Sequence, residues 1–257
     1  MNAPGGLART APVFAGRSFK RFIRTPETIV ATVGFPLILM LTLLAVFSNA
    51  VEAFDDGGVY AQRLVPALVV SGLMFGSIGT AVGFFSDLGG GYMQRIRTLP
   101  IAPAGPLVGA VIAEVGRAMI AVVVLVAVGY VVGFRFDNGL VPVFGFGALA
   151  ALAAVSIVWI GLALATVASS QEALGPPLSA LFLLLLFFSR GLVPLDAYPG
   201  WAQPIVEANP ATAYVTALDR LARGGELAEP ILASVAWSIA LTAVFGSIAI
   251  RSVRRHP

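Results

Sequence analysis

Long apolar runs alternate with short polar interruptions along the whole chain. Six runs approach or exceed the ~20 apolar residues a helix needs to cross a hydrocarbon core. They are Thr28–Phe47, Leu64–Phe85, Leu107–Val132, Leu140–Ala168, Ala173–Ser189 and Ile231–Ile250. The fourth is longer than needed and either tilts or starts outside the hydrocarbon. The fifth is short unless Gly191–Pro194 extends it. Backbone polar groups in lipid must be satisfied within the protein, so these runs predict helices. No ten-residue alternation of apolar and polar positions appears, which argues against a β-barrel. Pro36 lies inside the first run and calls for a kink or an accommodating neighbour.

Three polar segments are more than plain loops. Residues 12–25 place Arg17, Lys20, Arg21 and Arg24 on one helical face, with Ala15, Phe19, Phe22 and Ile23 on the other. That pattern suits an amphipathic helix in the membrane interface, its arginines on anionic headgroups, or simply a basic flank. Residues 86–106 carry "MQRIRTLPIAPAGP", with Arg95 and Arg97 ahead of Pro100, Pro103 and Pro106. Any helix there is short and precedes Pro100. Residues 190–230 contain Pro194, Pro199, Pro204 and Pro210, with Tyr198 and Trp201 between them. Prolines at this density rule out one straight helix, and the aromatic residues suit an interface. The segment predicts re-entrant helices, then an amphipathic helix over Ala211–Arg223 that stops at Gly224-Gly225.

Composition settles the class. Of 257 residues, 58% are hydrophobic and 11% charged, with mean hydropathy +0.92. Soluble domains carry about 25% charged residues, so this is an integral membrane protein. The length suits a single membrane domain over 1–257. There is no cysteine, and His256 is the one histidine, which excludes thiolate or histidine-cluster metal sites. All basic residues but Lys20 are arginine, a bias of GC-rich bacterial genomes.

Charge placement orients the spans. Arg9, Arg17, Lys20, Arg21, Arg24, Arg95, Arg97, Arg251, Arg254 and Arg255 flank one side; Arg63, Arg135, Arg190, Arg220 and Arg223 flank the other, with nine acids from Glu52 to Glu229. Both termini are expected in the cytoplasm of a bacterial inner (plasma) membrane. Within the spans, Glu114 and Arg117 stand three residues apart on one face of the third. As a pair they offset part of each other's burial cost. They read as a structural pair or a polar joint; a proton relay would need further carboxylates or histidines.

No phosphate loop of the GxxxxGK[ST] type occurs, nor an HExxH, GxSxG or paired-carboxylate motif. The expectation is therefore a non-enzyme with no cofactor of its own and no nucleic-acid role. The competing classes are a lipid-modifying membrane enzyme, which needs convergent polar residues inside the spans, and a proton-coupled transporter, which needs more intramembrane carboxylates.

Three stretches converge on one family: "FIRTPETIVATVGFPLILML" (Phe22–Leu41), "RIRTLPIAPAGPLVGAVIAEVGR" (Arg95–Arg117) and "LVPLDAYPGWAQPIVEANPATAYVTALDR" (Leu192–Arg220). With these, the chain resembles the permease subunits of ABC type-2 exporters, the group that includes daunorubicin-type drug efflux permeases. The resemblance implies a six-helix permease that dimerises, with a second copy as a homodimer or with a distinct permease, and pairs with two separate ATP-binding subunits that carry ATP and Mg. It implies that the cytoplasmic loop with Arg95, Arg97, Leu99 and Pro100 couples to the ATPase through a short helix. The basic helix with Arg17, Lys20, Arg21 and Arg24 would lie beside it. Pro194, Pro199, Trp201, Asn209, Pro210 and Arg220 would belong to re-entrant helices closing the outer side of a path lined by spans two and five. Arg190 departs from the small or apolar residue of many relatives. It reads as an interfacial snorkelling arginine rather than an anchor for an acidic group. The implied activity is export of an amphipathic or lipid-like drug or lipid, in contact with membrane lipids.

Overall fold

A computed structural model describes residues 16, 33–52, 60–89, 105–137 and 139–255. Among them all regular structure is helical. The elements are α1 (Phe35–Glu52), α2 (Tyr60–Gly89), α3 (Gly105–Val131), α4 (Leu140–Val167) and α5 (Gly175–Phe187), then a 3-10 turn at Leu195–Ala197, α6 (Gln203–Glu207), α7 (Pro210–Arg223) and α8 (Ala228–Arg255). Each of the six apolar runs is a helix. Of these, α2, α3, α4 and α8 are long and apolar enough to cross a membrane unaided. The expected start of α1 at Thr28 lies outside the described residues, as do the amphipathic helix with Arg17, Lys20, Arg21 and Arg24 and the coupling segment with Arg95, Arg97, Leu99 and Pro100.

Several boundaries shift for physical reasons. The second run grows upstream to Tyr60 because Pro66 sits in the second turn of α2 and removes only one ladder donor. The last run grows at both ends. Glu229 in its first turn suits the positive helix end, and the basic residues from Arg251 continue the helix without meeting a breaker. The fifth run contracts. Pro176 and Pro177 fit the first turn of α5, so the helix starts at Gly175 rather than Ala173. It stops at Phe187, and Gly191–Pro194 do not extend it. Thirteen residues rise about 20 Å, well short of the ~30 Å hydrocarbon thickness.

The bundle is built around α4, which packs against α2, α3, α7 and α8. A helix apolar on all sides belongs in the middle: 72% of the most apolar stretch of α4 is buried, against 22% for α8. Small residues let the backbones approach. A Cβ on Gly161 of α4 would stand 2.9 Å from the Cβ of Ala81 on α2. The ring of Pro36 on α1 lies against Gly72 of α2, which is the accommodating neighbour its position called for. At one end Gln62 grips the backbone of Arg135 through both N–H and C=O, fastening α2 to the α3–α4 turn. There Phe134, Phe136 and Phe146 stack edge to face. This end, with Arg63, Asp137 and Gly224, is called the outer end after the charge count.

Candidate functional site

The site is organised by the early end of α5. The last carbonyls of a helix have no partner inside it, and a helix that stops inside a bundle cannot leave them to lipid. Here four consecutive carbonyls receive side-chain donors, and a fifth lies within reach of one. Asn209 Nδ2 donates to Leu185 O at 2.7 Å and Phe188 O at 2.6 Å. Ser189 Oγ donates to Leu186 O at 2.6 Å. The Tyr198 hydroxyl donates to Phe187 O, and Ser189 O lies 3.0 Å from it. Burial pushes the Tyr198 phenol up, which keeps it a donor.

Asn209 also starts α7. Its Oδ1 accepts from Ala211 N at 2.8 Å, and Pro210 occupies the first helical position. One amide thus closes the C-terminus of α5 and opens the N-terminus of α7, which makes the hairpin from α5 to α7. The expected helix over Ala211–Arg223 is present, one residue longer at its start. It ends at Gly224, whose φ of +88° favours glycine. Asp137 N donates to Ala222 O at 3.0 Å, so this end of α7 lies at the outer end of the bundle. The other end reaches inward about 20 Å. There Tyr214, 0% exposed, sets its hydroxyl 2.7 Å from Ser156 Oγ on α4 and 2.9 Å from Ser238 Oγ on α8. Three helices are pinned at one buried point.

Beside this hairpin opens a cavity of about 1030 Å³. Its apolar wall comes from Leu39 and Leu43 of α1 and Leu183, Leu186 and Phe187 of α5. Arg63, Arg220, Arg223 and Asp219 line it toward the outer end, and Arg190 lines it deeper, beside the end of α5, its N–H 3.3 Å from Thr212 Oγ1. Arg190 pairs with Glu207 at 3.0 Å, and Arg223 pairs with Asp219 one turn earlier.

A second polar centre joins α2 to α3. Glu114 and Arg117 are 1% and 5% exposed and form the ion pair their spacing predicts. Thr80 on α2 donates to the Glu114 carboxylate, and its hydroxyl lies 2.7 Å from Arg117 Nη2. Arg117 also donates to Gly76 O. Such a pair is tolerable only because each group finds several partners. Among the described residues no cluster of three metal-ligating side chains occurs.

The residues singled out in the external region fall into place unevenly. Asn209 and Pro210 are at the centre of the hairpin. Pro194 precedes the 3-10 turn, and Pro199 O accepts from Ala202 N at 2.8 Å. Trp201 is 67% exposed, its ring 6.5 Å from that of Phe188. Arg220 is on the cavity rim. Glu114 and Arg117 stand apart from all of these, on α3. The donor roles of Tyr198 and Ser189, the Tyr214–Ser156–Ser238 point and the partner Thr80 escape a reading of the sequence. A hydroxyl at helical spacing carries no signal of its distant partner.

The described helices form a multi-helix membrane bundle in which one short helix is closed by a hairpin. Residues 13–220 match the family model described as ABC-2 type transporter, and the chain belongs to that family. It is 29% identical over 241 residues to "Probable doxorubicin resistance ABC transporter permease protein DrrC" of Mycobacterium tuberculosis, covering 89% of this chain and 82% of that one. It is 30% identical over 238 residues to "Daunorubicin resistance ABC transporter permease protein DrrB1" of Streptomyces coeruleorubidus, covering 93% and 83%. "Doxorubicin resistance ABC transporter permease protein DrrB" of Mycobacterium tuberculosis is 28% identical over 241 residues, covering 89% and 83%. These relatives are permease subunits, and this chain is a multi-pass membrane protein of their kind.

Proposed function

We propose that the chain is the membrane-spanning permease of an ATP-driven drug or lipid exporter, working as a homodimer with two separate ATP-binding subunits that hold ATP and Mg. Family membership over residues 13–220 is the observation that carries this reading. The relatives named for doxorubicin and daunorubicin resistance favour an amphipathic cargo moved outward. The apolar cavity wall favours the same kind of molecule. In this reading the termini are cytoplasmic, in a bacterial inner membrane. The segment with Arg95, Arg97, Leu99 and Pro100 meets the ATPase between α2 and α3. The lock of Glu114, Arg117 and Thr80 makes those two helices move together.

The test is co-purification with ATP-binding proteins encoded beside the gene, with ATPase activity measured in proteoliposomes. Association and cargo-stimulated hydrolysis are expected. Arg95→Glu with Arg97→Glu should abolish the stimulation and leave thermal unfolding unchanged. No associating ATPase among the candidates, or full stimulation in the double variant, overturns the exporter reading or the coupling role respectively. Transport driven by a proton gradient without ATP would favour the secondary-transporter class instead.

A further inference from the structure

Three hydroxyl groups meet at the Tyr214 point, so three protons serve four contacts. Ser156 Oγ lies 2.9 Å from Ala153 O and Ser238 Oγ 2.8 Å from Ser234 O, each on its own helix. The tyrosine oxygen lies 2.7 and 2.9 Å from the two serines. Two hydroxyl oxygens in contact without a proton would set lone pairs against each other. A helix carbonyl that loses its serine still accepts from a backbone N–H one turn on. The contact that goes without a proton is therefore a serine–carbonyl one. One serine donates to the tyrosine, the tyrosine donates to the other serine, and both bonds to Tyr214 are always made. The three residues are 0%, 0% and 3% exposed, which keeps water from competing. The two ends of α7 are held differently. At the outer end Ala222 O accepts from Asp137 N, and Leu221 lies 3.1 Å from where a Cβ on Gly145 of α4 would stand. At the deep end the preceding chain is tied to α5, through Tyr198 and Asn209. Among the described residues, the side-chain hydrogen bonds from α7 to α4 and α8 are those of Tyr214. The α5 helix packs chiefly on α2 and α7, and Leu181, Leu183, Leu184 and Phe187 are exposed along it.

We propose that Tyr214 is the positioning residue of the outer hairpin. It fixes α7 as a strut of the α4–α8 core, and the strut presents Asn209 to the end of α5. The joint that opens is the one between α5 and the strut, while the joint between the strut and the core stays shut. Asn209 stands five residues before Tyr214 on the same helix, a rise of about 7.5 Å, so it keeps its place while Tyr214 keeps its own. Without the tyrosine hydroxyl, Ser156 and Ser238 each remain bonded to a carbonyl of their own helix. Tyr214→Phe therefore frees α7 and strands no polar group. That the parting of α5 from the strut lets cargo leave rests on the exporter reading; the strut itself rests on the geometry alone.

The full chain in nanodiscs, with no ATPase present, is followed by hydrogen–deuterium exchange and mass spectrometry. In the wild type the amides of 186–190 should exchange about tenfold faster than those of 213–222, which keep pace with α4 and α8. Equal rates in the two segments overturn the division. Tyr214→Phe removes two hydrogen bonds and should speed exchange over 213–222 about tenfold. Exchange over 186–190 should rise by the same factor, with Tm and the peptides around Ser156 and Ser238 unchanged. An α7 indifferent to this substitution overturns the strut. A faster α7 beside an unchanged α5 end overturns the action through Asn209. A uniform rise over all helices makes Tyr214 an ordinary core residue and overturns the proposal too. Ser156→Ala with Ser238→Ala buries the tyrosine hydroxyl without a partner, and should both lower Tm and loosen α7. Adding Tyr214→Phe to that pair should restore Tm while α7 and the end of α5 stay fast. Slow exchange returning together with Tm would mean that packing alone places α7, against the proposal. Absence of any partner ATPase would defeat the exporter reading and leave these rates as they are, whereas failure here defeats the strut alone.

Discussion

Asn209 gives the sharpest test of how α5 ends. Its side chain makes three hydrogen bonds: two as donor to Leu185 O and Phe188 O, one as acceptor from Ala211 N. Asn209→Ala removes all three. Loss of the N-cap costs about 1 kcal/mol. Each buried carbonyl left without a donor costs about 1–3 kcal/mol, with the upper range favoured away from water. The total is roughly 3–7 kcal/mol, a fall in Tm on the order of 10 °C or more.

Asn209→Asp separates the two roles. Aspartate caps a helix as well as asparagine does, so the bond from Ala211 N survives. It has no N–H, and its ionised carboxylate faces two carbonyl oxygens. The aspartate variant should therefore melt at or below the alanine variant near pH 7.5, by dye-monitored thermal unfolding in nanodiscs. Were capping of α7 the whole of its role, Asn209→Asp would match the wild type. That result would sink the claim that this residue closes α5.

Two further outcomes follow from packing. Glu114→Gln or Arg117→Met alone leaves a buried charge without its counterpart and should cost about 3–5 kcal/mol, whereas Glu114→Leu with Arg117→Met together should come close to neutral; equal melting of all four proteins would mean that the pair is not a buried unit. Gly161→Val should push α4 off α2 and cost about 1–3 kcal/mol, with Ala81→Gly in the same chain recovering part of the loss; no recovery would place the strain elsewhere.

The sequence made the spans legible because crossing lipid demands length and apolarity, both local properties. Their ends were less so. Where α5 stops depends on donors from Tyr198 and Asn209, eleven and twenty-one residues beyond Phe187 and Phe188. Neither residue announces that role: tyrosine beside prolines reads as an interface aromatic, and the expected amphipathic helix begins at Ala211, after Asn209. The partners of both on α5 are invisible along the chain. The Glu114–Arg117 pair was visible from its spacing of three. Its anchoring to Thr80 and Gly76 was not, because those lie thirty-four and forty-one residues away on another helix. Arg190 shows the same limit. Alone it reads as snorkelling, yet it reaches Glu207, seventeen residues on.

On the proposed function, these two polar centres divide the labour of a stroke between them. Motion delivered at the segment between α2 and α3 would enter both helices, and the buried ion pair with Thr80 forbids them to slide past each other without exposing charge. The pair therefore favours rigid-body movement of α2 with α3. The outer hairpin is different in kind. It is held to α5 by neutral hydrogen bonds from Asn209 and Tyr198, each costing about 1–3 kcal/mol to leave unmade away from water. Neutral bonds to carbonyls can be broken one at a time, and none of them leaves a charge without its counterpart. An outer gate built this way can open without stranding a charge, whereas the α2–α3 joint cannot. On that proposed function, charge would mark the part that transmits force, and amide and hydroxyl groups the part that lets go.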